Sequence, residues 1–305
     1  MREAVSVHPP VSSAAWASFL TARNPARHGI FGFIDRRPLT FDLYIPTAAD
    51  LKAHTIWETL SRQGRRICSI NVPLTYPPQP VNGVIVGDFL APTLEGATYP
   101  AALAAELAAA GYQLDADSMV AHEDLDAFVD EVFRVLQARV RAALDLLGRE
   151  PWDVFMVHIM ETDRINHFLW RHFEEGHERY AGRFLDFYSA LDAAVGRIAE
   201  AAGDDPALFI LSDHGFCSAK KAVFLNTWLQ RTGWLRIEQR RRRPGPADMT
   251  PDSRAYCLDP SRFFLRVAGR EPGGFISPGP QYEEVRQELA EALLALRDPD
   301  DGSPV

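Results

Sequence analysis

Cysteine is scarce in this sequence. Cys68, Cys217 and Cys257 are widely separated, odd in number and without a C-x-x-C spacing. That excludes a disulfide framework and a thiolate zinc site. Long apolar runs are also missing: no stretch approaches the ~18 residues that suggest a membrane span, and residues 1–7 contain no apolar run of the signal-peptide kind. A cytoplasmic location is the resulting expectation. Basic charge is in deficit, with a formal net charge of −9. A polymer of nucleic acid is therefore not the expected partner, because neutralising its phosphates needs a basic face. A small anionic substrate stays open, since it answers to the local field of a pocket. No unit of 20–50 residues repeats, which excludes a solenoid. No G-x-S-x-G elbow occurs, which disfavours a serine-hydrolase triad.

What is present is an ordinary globular composition. The chain has 305 residues, 47% hydrophobic and 24% charged, enough for one large α/β domain or two small ones and ample for a buried core. Short apolar, β-branched runs predict strands at 66–72, 83–88, 153–159 and 207–212, the last two apolar almost throughout, as in a parallel sheet covered on both faces. Helices are predicted between them. Residues 55–63 stop at Gly64, and 100–110 open with Pro100 and close at Gly111; 125–147 and 180–202 repeat apolar residues at three- and four-residue spacing. A further strand is expected at 262–267 and a last helix at 282–297. Alternating strands and helices predict a mainly parallel sheet with helices on both faces, its chemistry beyond the carboxyl ends of the strands. Residues 239–253, with Arg240 to Arg243 leading into Pro244-Gly245-Pro246, read as an exposed basic loop.

Two clusters follow apolar strands directly. In Glu161-Thr162-Asp163-Arg164-Ile165-Asn166-His167, Asp163 and His167 are four apart and share one helix face. A carboxylate and an imidazole so placed can bind one zinc-type ion; alone, the same pattern also suits a helix-start Asp and an unrelated surface His. In Ser212-Asp213-His214-Gly215-Phe216, Asp213 and His214 converge only if the chain turns, which Gly215 permits. Two Asp/His pairs at successive strand ends would repel within one pocket unless a cation joins them. Two ions ~4 Å apart would clamp both oxygens of a phosphoester displacement. The third element is Pro9-Pro10-Val11-Ser12-Ser13-Ala14-Ala15-Trp16. By itself Ser12 suits the N-cap of a helix over 14–20; a metal could instead activate its hydroxyl as a nucleophile.

Taken together, Pro9-Pro10-x-Ser12-x-x-x-Trp16, Asn24-Pro25-x-x-His28-Gly29-Ile30, Glu161-Thr162-Asp163-x-x-x-His167 and Ser212-Asp213-His214-Gly215-Phe216 resemble the type I phosphodiesterase/nucleotide pyrophosphatase family of the alkaline phosphatase superfamily. The similarity runs through nearly the whole chain and includes the Pro73 to Pro78 and Gly269 to Pro272 segments. The resemblance implies an alkaline-phosphatase-like α/β fold over residues 1–305. It further implies a hydrolase of small phosphoesters that uses two divalent ions, Zn2+ by preference, and a covalent phospho-enzyme intermediate. On this likeness Ser12 is the nucleophile, Asp163 and His167 bind one metal, Asp213 and His214 bind the other, and His28 is structural.

Two departures from the pattern bear on activity. Members usually begin with an apolar strand ending in an Asp-Gly ligand pair and carry one more His ligand late in the sequence. Here Met1 falls where that strand and its helix would already be complete, and Val305 precedes the late His. The expectation is a domain incomplete at both termini, each metal short of a ligand, unless His28, His158 or Asp88 completes the sets. Two rivals follow: a degenerate homologue serving as a non-catalytic metal-binding scaffold, and a sulfatase. The sulfatase is opposed by Ala14 and Trp16, which stand where its maturation motif needs Pro and Arg. Loops at 46–53 and 115–126 are expected to set selectivity.

Overall fold

The computed structural model describes residues 5–238, 245–258 and 262–305. In chain order the elements are α1 (Ser12–Thr21), α2 (Pro25–His28), β1 (Asp35–Arg36), β2 (Leu43–Tyr44), α3 (Ile56–Arg62), β3 (Ile67–Ile70), β4 (Gly83–Val86), β5 (Thr98–Tyr99), α4 (Leu103–Ala109), α5 (Leu125–Arg149), β6 (Val154–Val157), α6 (Glu161–Glu174), α7 (Tyr180–Ala202), α8 (Leu225–Arg231), β7 (Ala255–Leu258), β8 (Arg262–Leu265) and α9 (Pro280–Leu294). The chain divides into two compact units, one of Met1–Phe31 and Pro46–Lys220, the other of Gly32–Ile45 and Lys221–Val305.

The first unit is a mixed α/β structure built on a four-stranded sheet, ordered β5-β4-β3-β6. β3 pairs in parallel with both β4 and β6, while β5 runs antiparallel to β4. Every residue of β3 is buried, and alternation sends its side chains into two different cores. Ile67 packs with Trp16, Leu20, Trp57 and Ile85. Cys68 and Ile70 pack on the other face with Val86, Leu103 and Leu146. Burial of β3 on both faces suits its parallel pairing and its mostly apolar sequence, which Ser69 alone interrupts. A third core lies among α5, α6 and α7, around Phe128, Val132, Ile165, Leu169 and Phe187.

Local sequence explains the helix starts. Thr55 and Glu58 form a reciprocal capping box that begins α3, and the Asp124 side chain accepts from the Ala127 amide to begin α5. One expectation fails here: Ser12 is not the N-cap of α1. Val11, extended at φ −127°, takes that place without a side-chain cap, and Ser12 is the first helical residue. Its hydroxyl is engaged elsewhere.

A second expectation also fails. Residues 207–212 form no strand, and Phe209 and Ile210 are 83% and 74% exposed. An apolar run becomes a strand only when a neighbouring strand takes up its backbone N–H and C=O groups, and no described strand does so. β6 ends the described sheet with β3 as its one neighbour, and its residues are only half-buried.

The second unit holds two antiparallel ribbons, β1 with β2 and β7 with β8. Its core joins Leu229, Trp234, Tyr256, Leu265 and Leu289, and the buried Glu271 carboxylate accepts from Arg36 Nη2 at 2.7 Å. The arginine run at 240–243 lies outside the described residues. Of the remainder of that segment, Asp248 and Ser253 are buried. No helix of the described residues is long and apolar enough to cross a membrane.

Candidate active site

Three parts of the first unit converge beyond the carboxyl end of β6. The first is the start of α6. Asp163 lies in its first turn, where the helix dipole favours a carboxylate, and His167 stands one turn later on the same face, with Nε2 3.4 Å from Asp163 Oδ1. Burial by itself would raise the Asp163 carboxyl. The bond from His167 and the charges of His167, Arg164 and His214 outweigh it and hold the group below its usual range. The same bond holds His167 above the ordinary imidazole value.

The second part is the segment from Ser212 to Phe216. Gly215 does not adopt a left-handed conformation, so the turn is made in another way than the sequence suggests. Ser212 Oγ donates to the carbonyl of His214 at 2.6 Å, and Ser6 Oγ donates to the carbonyl of Asp213 at 2.9 Å. Because the segment is not strand, Asp213 and His214 need not point to opposite faces: His214 Nε2 lies 3.6 Å from Asp213 Oδ2 and 4.0 Å from Asp163 Oδ1. Phe216 packs edge-on against His167 at 5.1 Å and stacks with Trp170 at 6.2 Å, tying this segment to α6.

The third part is Ser12, whose Oγ lies 2.9 Å from His214 Nε2. His214 Nδ1 lies 3.0 Å from the carbonyl of Gly215. A carbonyl can only accept, so Nδ1 carries a proton, and the other ring nitrogen, Nε2, faces the Ser12 hydroxyl. Ser12 also opens α1 at the positive end of a ten-residue helix, a position that favours an anion.

All five residues singled out from sequence therefore meet in one place. The further groups considered from sequence, His28, His158 and Asp88, each make hydrogen bonds outside this cluster. His28 is fully buried, its Nδ1 accepting from the Ile30 amide at 3.1 Å and its Nε2 3.0 Å from Ser18 Oγ. His158 Nδ1 donates to the carbonyl of Asn71 at 3.1 Å, and burial lowers its pKa to about 3. Asp88 is fully buried and accepts from the amides of Thr75 and Leu90.

Sequence reasoning missed the support beneath the site. Arg139 of α5 and Glu161, the first residue of α6, form a fully buried ion pair, with Arg139 Nε donating to Glu161 Oε1 at 2.9 Å. Arg139 also donates to Tyr112 Oη at 2.5 Å and to the carbonyl of Leu114 at 3.0 Å. Its signal was an arginine placed in the apolar stripe of Val132, Val135, Leu136, Val140 and Ala143. A second support is the pair between Arg164 Nε and Asp115 Oδ1 at 3.0 Å, which ties a loop residue to the start of α6 beside Asp163.

The donor set suits a hard or borderline divalent ion: carboxylate oxygens, imidazole nitrogens and a hydroxyl. One feature favours such a group directly. Asp213 Oδ2 is buried and has no hydrogen-bond partner among the described residues, which is costly for a carboxylate oxygen. Among the described residues, no group of three or more His, Cys, Asp or Glu side chains is placed so as to hold a metal ion. The fit is therefore one of donor chemistry, with two Asp/His pairs and Ser12 as its parts.

The profile of the family described as type I phosphodiesterase / nucleotide pyrophosphatase matches residues 2–305. The chain belongs to that family. Neither curated proteins nor solved structures gave a match. As a type I phosphodiesterase/nucleotide pyrophosphatase family member the chain is assigned to a class of hydrolases that act on small phosphoesters. Its mixed α/β architecture with a parallel-containing sheet agrees with that membership.

Asp88 supplies a pH prediction. Burial raises its pKa from 3.8 to about 6 against the opposing pull of the backbone amides around it. The folded state then binds the proton more tightly than the unfolded state. The stability this contributes is complete below the unfolded value of 3.8 and is lost as pH rises through about 6. Between pH 5 and 7 the native chain should lose about 1 kcal/mol relative to Asp88→Asn. Urea unfolding of both proteins at the two pH values measures the difference. Parallel pH dependence would show that Asp88 is ionised throughout.

Proposed function

We propose that this chain is a divalent-metal-dependent phosphoester hydrolase of the phosphodiesterase/nucleotide pyrophosphatase type, built on an alkaline-phosphatase-like fold and acting through a phospho-Ser12 intermediate. The observation that carries the reading is the 2.9 Å approach of Ser12 Oγ to His214 Nε2 at the start of α1, beside the carboxylates of Asp163 and Asp213.

Asp163 and His167 would hold one divalent ion, Asp213 and His214 the other, with zinc the expected metal. When bound, such ions neutralise phosphoryl oxygens and lower the pKa of a hydroxyl. The chain's own residues supply the rest. Ser12 Oγ, its proton released to solvent, attacks phosphorus; the new P–O bond forms as the bond to the leaving oxygen breaks, and that oxygen departs as an anion or takes a proton from solvent. The N-terminal amides of α1 offer donors to the phosphoryl oxygens. The bond from His214 Nδ1 to Gly215 fixes the ring so that Nε2 faces the reacting centre. Water then attacks the phosphoserine phosphorus and releases Ser12.

The test is metal titration of the purified chain alongside hydrolysis of bis(4-nitrophenyl) phosphate. Chelation should abolish turnover, and Zn2+ should restore it. Asp163→Asn and Asp213→Asn should each weaken zinc binding at least ~10-fold, the lower end of what even an outer partner of a metal ligand contributes. Metal bound without turnover would assign the chain to the non-catalytic scaffold. Turnover unaffected by chelation would remove the metal from the account.

A further inference from the structure

Next to Asp163 in α6 stands an arginine whose three nitrogens are all engaged. Arg164 Nε donates to Asp115 Oδ1 at 3.0 Å and to Oδ2 at 3.1 Å, and its Nη2 donates to Asp115 Oδ2. Nη1 turns the other way and donates to Asp163 Oδ2 at 3.1 Å. One planar guanidinium thus bridges two carboxylates, which its fixed fork allows and the single ammonium of a lysine does not. The Arg164 and Asp115 side chains are only 16% and 20% exposed, so solvent screens them less than an ordinary surface pair. Phe89 flanks the guanidinium, its ring centroid 5.6 Å from Cζ.

Asp115 is itself fixed. Its Oδ1 accepts from the Ala116 amide at 2.9 Å, and Ala116 is buried in the core shared by α5, α6 and α7. The carbonyl of Leu114, the residue before it, accepts from Arg139 Nη2. Two arginines therefore tie consecutive residues, Leu114 and Asp115, to Glu161 and Asp163 of α6. Arg164 is anchored at its Asp115 end, so the place of Nη1 is set independently of Asp163.

The two oxygens of Asp163 meet different partners. Oδ2 accepts from Arg164, while Oδ1 lies 3.4 Å from His167 Nε2 and 4.0 Å from His214 Nε2. A carboxylate left to itself turns freely, because its terminal torsion is broad and roughly two-fold, and it can offer a cation one oxygen or both. A donor fixed on Oδ2 removes that freedom. It keeps Oδ1 on the side of the imidazoles.

We propose that Arg164 is a positioning residue of the hydrolytic site: anchored by Asp115, it occupies Asp163 Oδ2 and presents Oδ1 as the oxygen that takes the divalent ion. The inference rests on the metal-dependent reading of the site and adds a residue that orients a ligand without touching the ion. Two effects of Arg164 on a nearby cation oppose each other. Its charge repels the ion, so by charge alone its removal would tighten binding. Its grip on Asp163 favours the ion, and outer partners of metal ligands contribute about 10–100-fold in affinity. Positioning and charge therefore predict opposite signs.

The measurement is the Zn2+ affinity of the full chain, by competition with a chromophoric chelator, read beside the urea midpoint of each sample. Arg164→Met should weaken zinc binding about tenfold. Arg164→Lys keeps the charge but cannot span both carboxylates, and should weaken binding by a similar factor with less effect on the fold. On an Asp163→Asn background, Arg164→Met should change zinc affinity less than about twofold, since Arg164 acts through Asp163. Native or tighter affinity in either Arg164 variant overturns the proposal, as does a tenfold loss that persists on the Asp163→Asn background. If Arg164→Met does not fold, Arg164→Lys decides the matter. A native chain that binds no zinc, or whose affinity Asp163→Asn leaves unchanged, removes the metal reading and this inference with it. A loss in Asp163→Asn with none in the Arg164 variants overturns this inference alone.

Discussion

Ser12→Ala is expected to lower the hydrolysis of bis(4-nitrophenyl) phosphate at least ~1,000-fold while zinc binding stays near the native level. Loss of a covalent nucleophile removes the attacking atom, and effects of this size or larger follow when a nucleophile is deleted. The carboxylates and imidazoles that would hold metal remain, since they reside on α6 and on the Asp213-His214 segment. Ser13→Ala is the matched control. Ser13 is 6% exposed, and its hydroxyl is buried with no hydrogen-bond partner. Removing an unsatisfied hydroxyl relieves a desolvation cost and forfeits no bond, so stability should hold or rise slightly and the rate should change less than about twofold. Steady-state kinetics with metal content measured on each sample makes the comparison. A Ser12→Ala enzyme with most of its rate intact would exclude the covalent route through Ser12.

The largest effect on stability is expected at Arg139. Arg139→Met leaves Glu161 buried without its cation, and breaking a buried ion pair from one side costs about 3–5 kcal/mol. Tyr112 and the carbonyl of Leu114 lose a donor in the same step. Glu161→Leu alone should be comparably harmful, because it strands a buried guanidinium. The double variant should be less destabilised than the sum, since both charges are then gone. Urea unfolding of the four proteins completes the cycle. Additive losses would mean that Arg139 and Glu161 act separately and that the pair does not set the start of α6. Since Asp163 lies two residues beyond Glu161, a coupled loss should also weaken zinc binding.

How much of this was legible in sequence depended on how local each signal was. The 3.6-residue period over 180–202 gave α7 at its observed bounds, Tyr180–Ala202, because one apolar face and its packing partners fix a helix over its whole length. Asp163 and His167 were legible for the same reason: helix geometry alone sets their proximity. The run at 207–212 carried a strand composition, but strand formation depends on a neighbour that composition does not identify. Asp213 and His214 were found by their chemistry, while the means of their convergence was not. Bonds from Ser6 and Ser212, rather than a left-handed glycine, shape that turn. Arg139 was visible as a charge in an apolar stripe, yet its partner lies 22 residues away, and no short-range pattern names it. Nor did any local feature indicate that Gly32–Ile45 would fold with Lys221–Val305 as a separate unit.

The central claim is a phosphoryl group carried on Ser12. It is tested most directly by incubating the zinc-loaded chain with bis(4-nitrophenyl) phosphate, quenching in acid during turnover, and mapping phosphorylated peptides by mass spectrometry. The account predicts phosphate on the peptide containing Ser12, absent from Ser12→Ala and unchanged by Ser13→Ala. Full turnover with no phosphate on that peptide, or the same label on the Ser12→Ala protein, would contradict it.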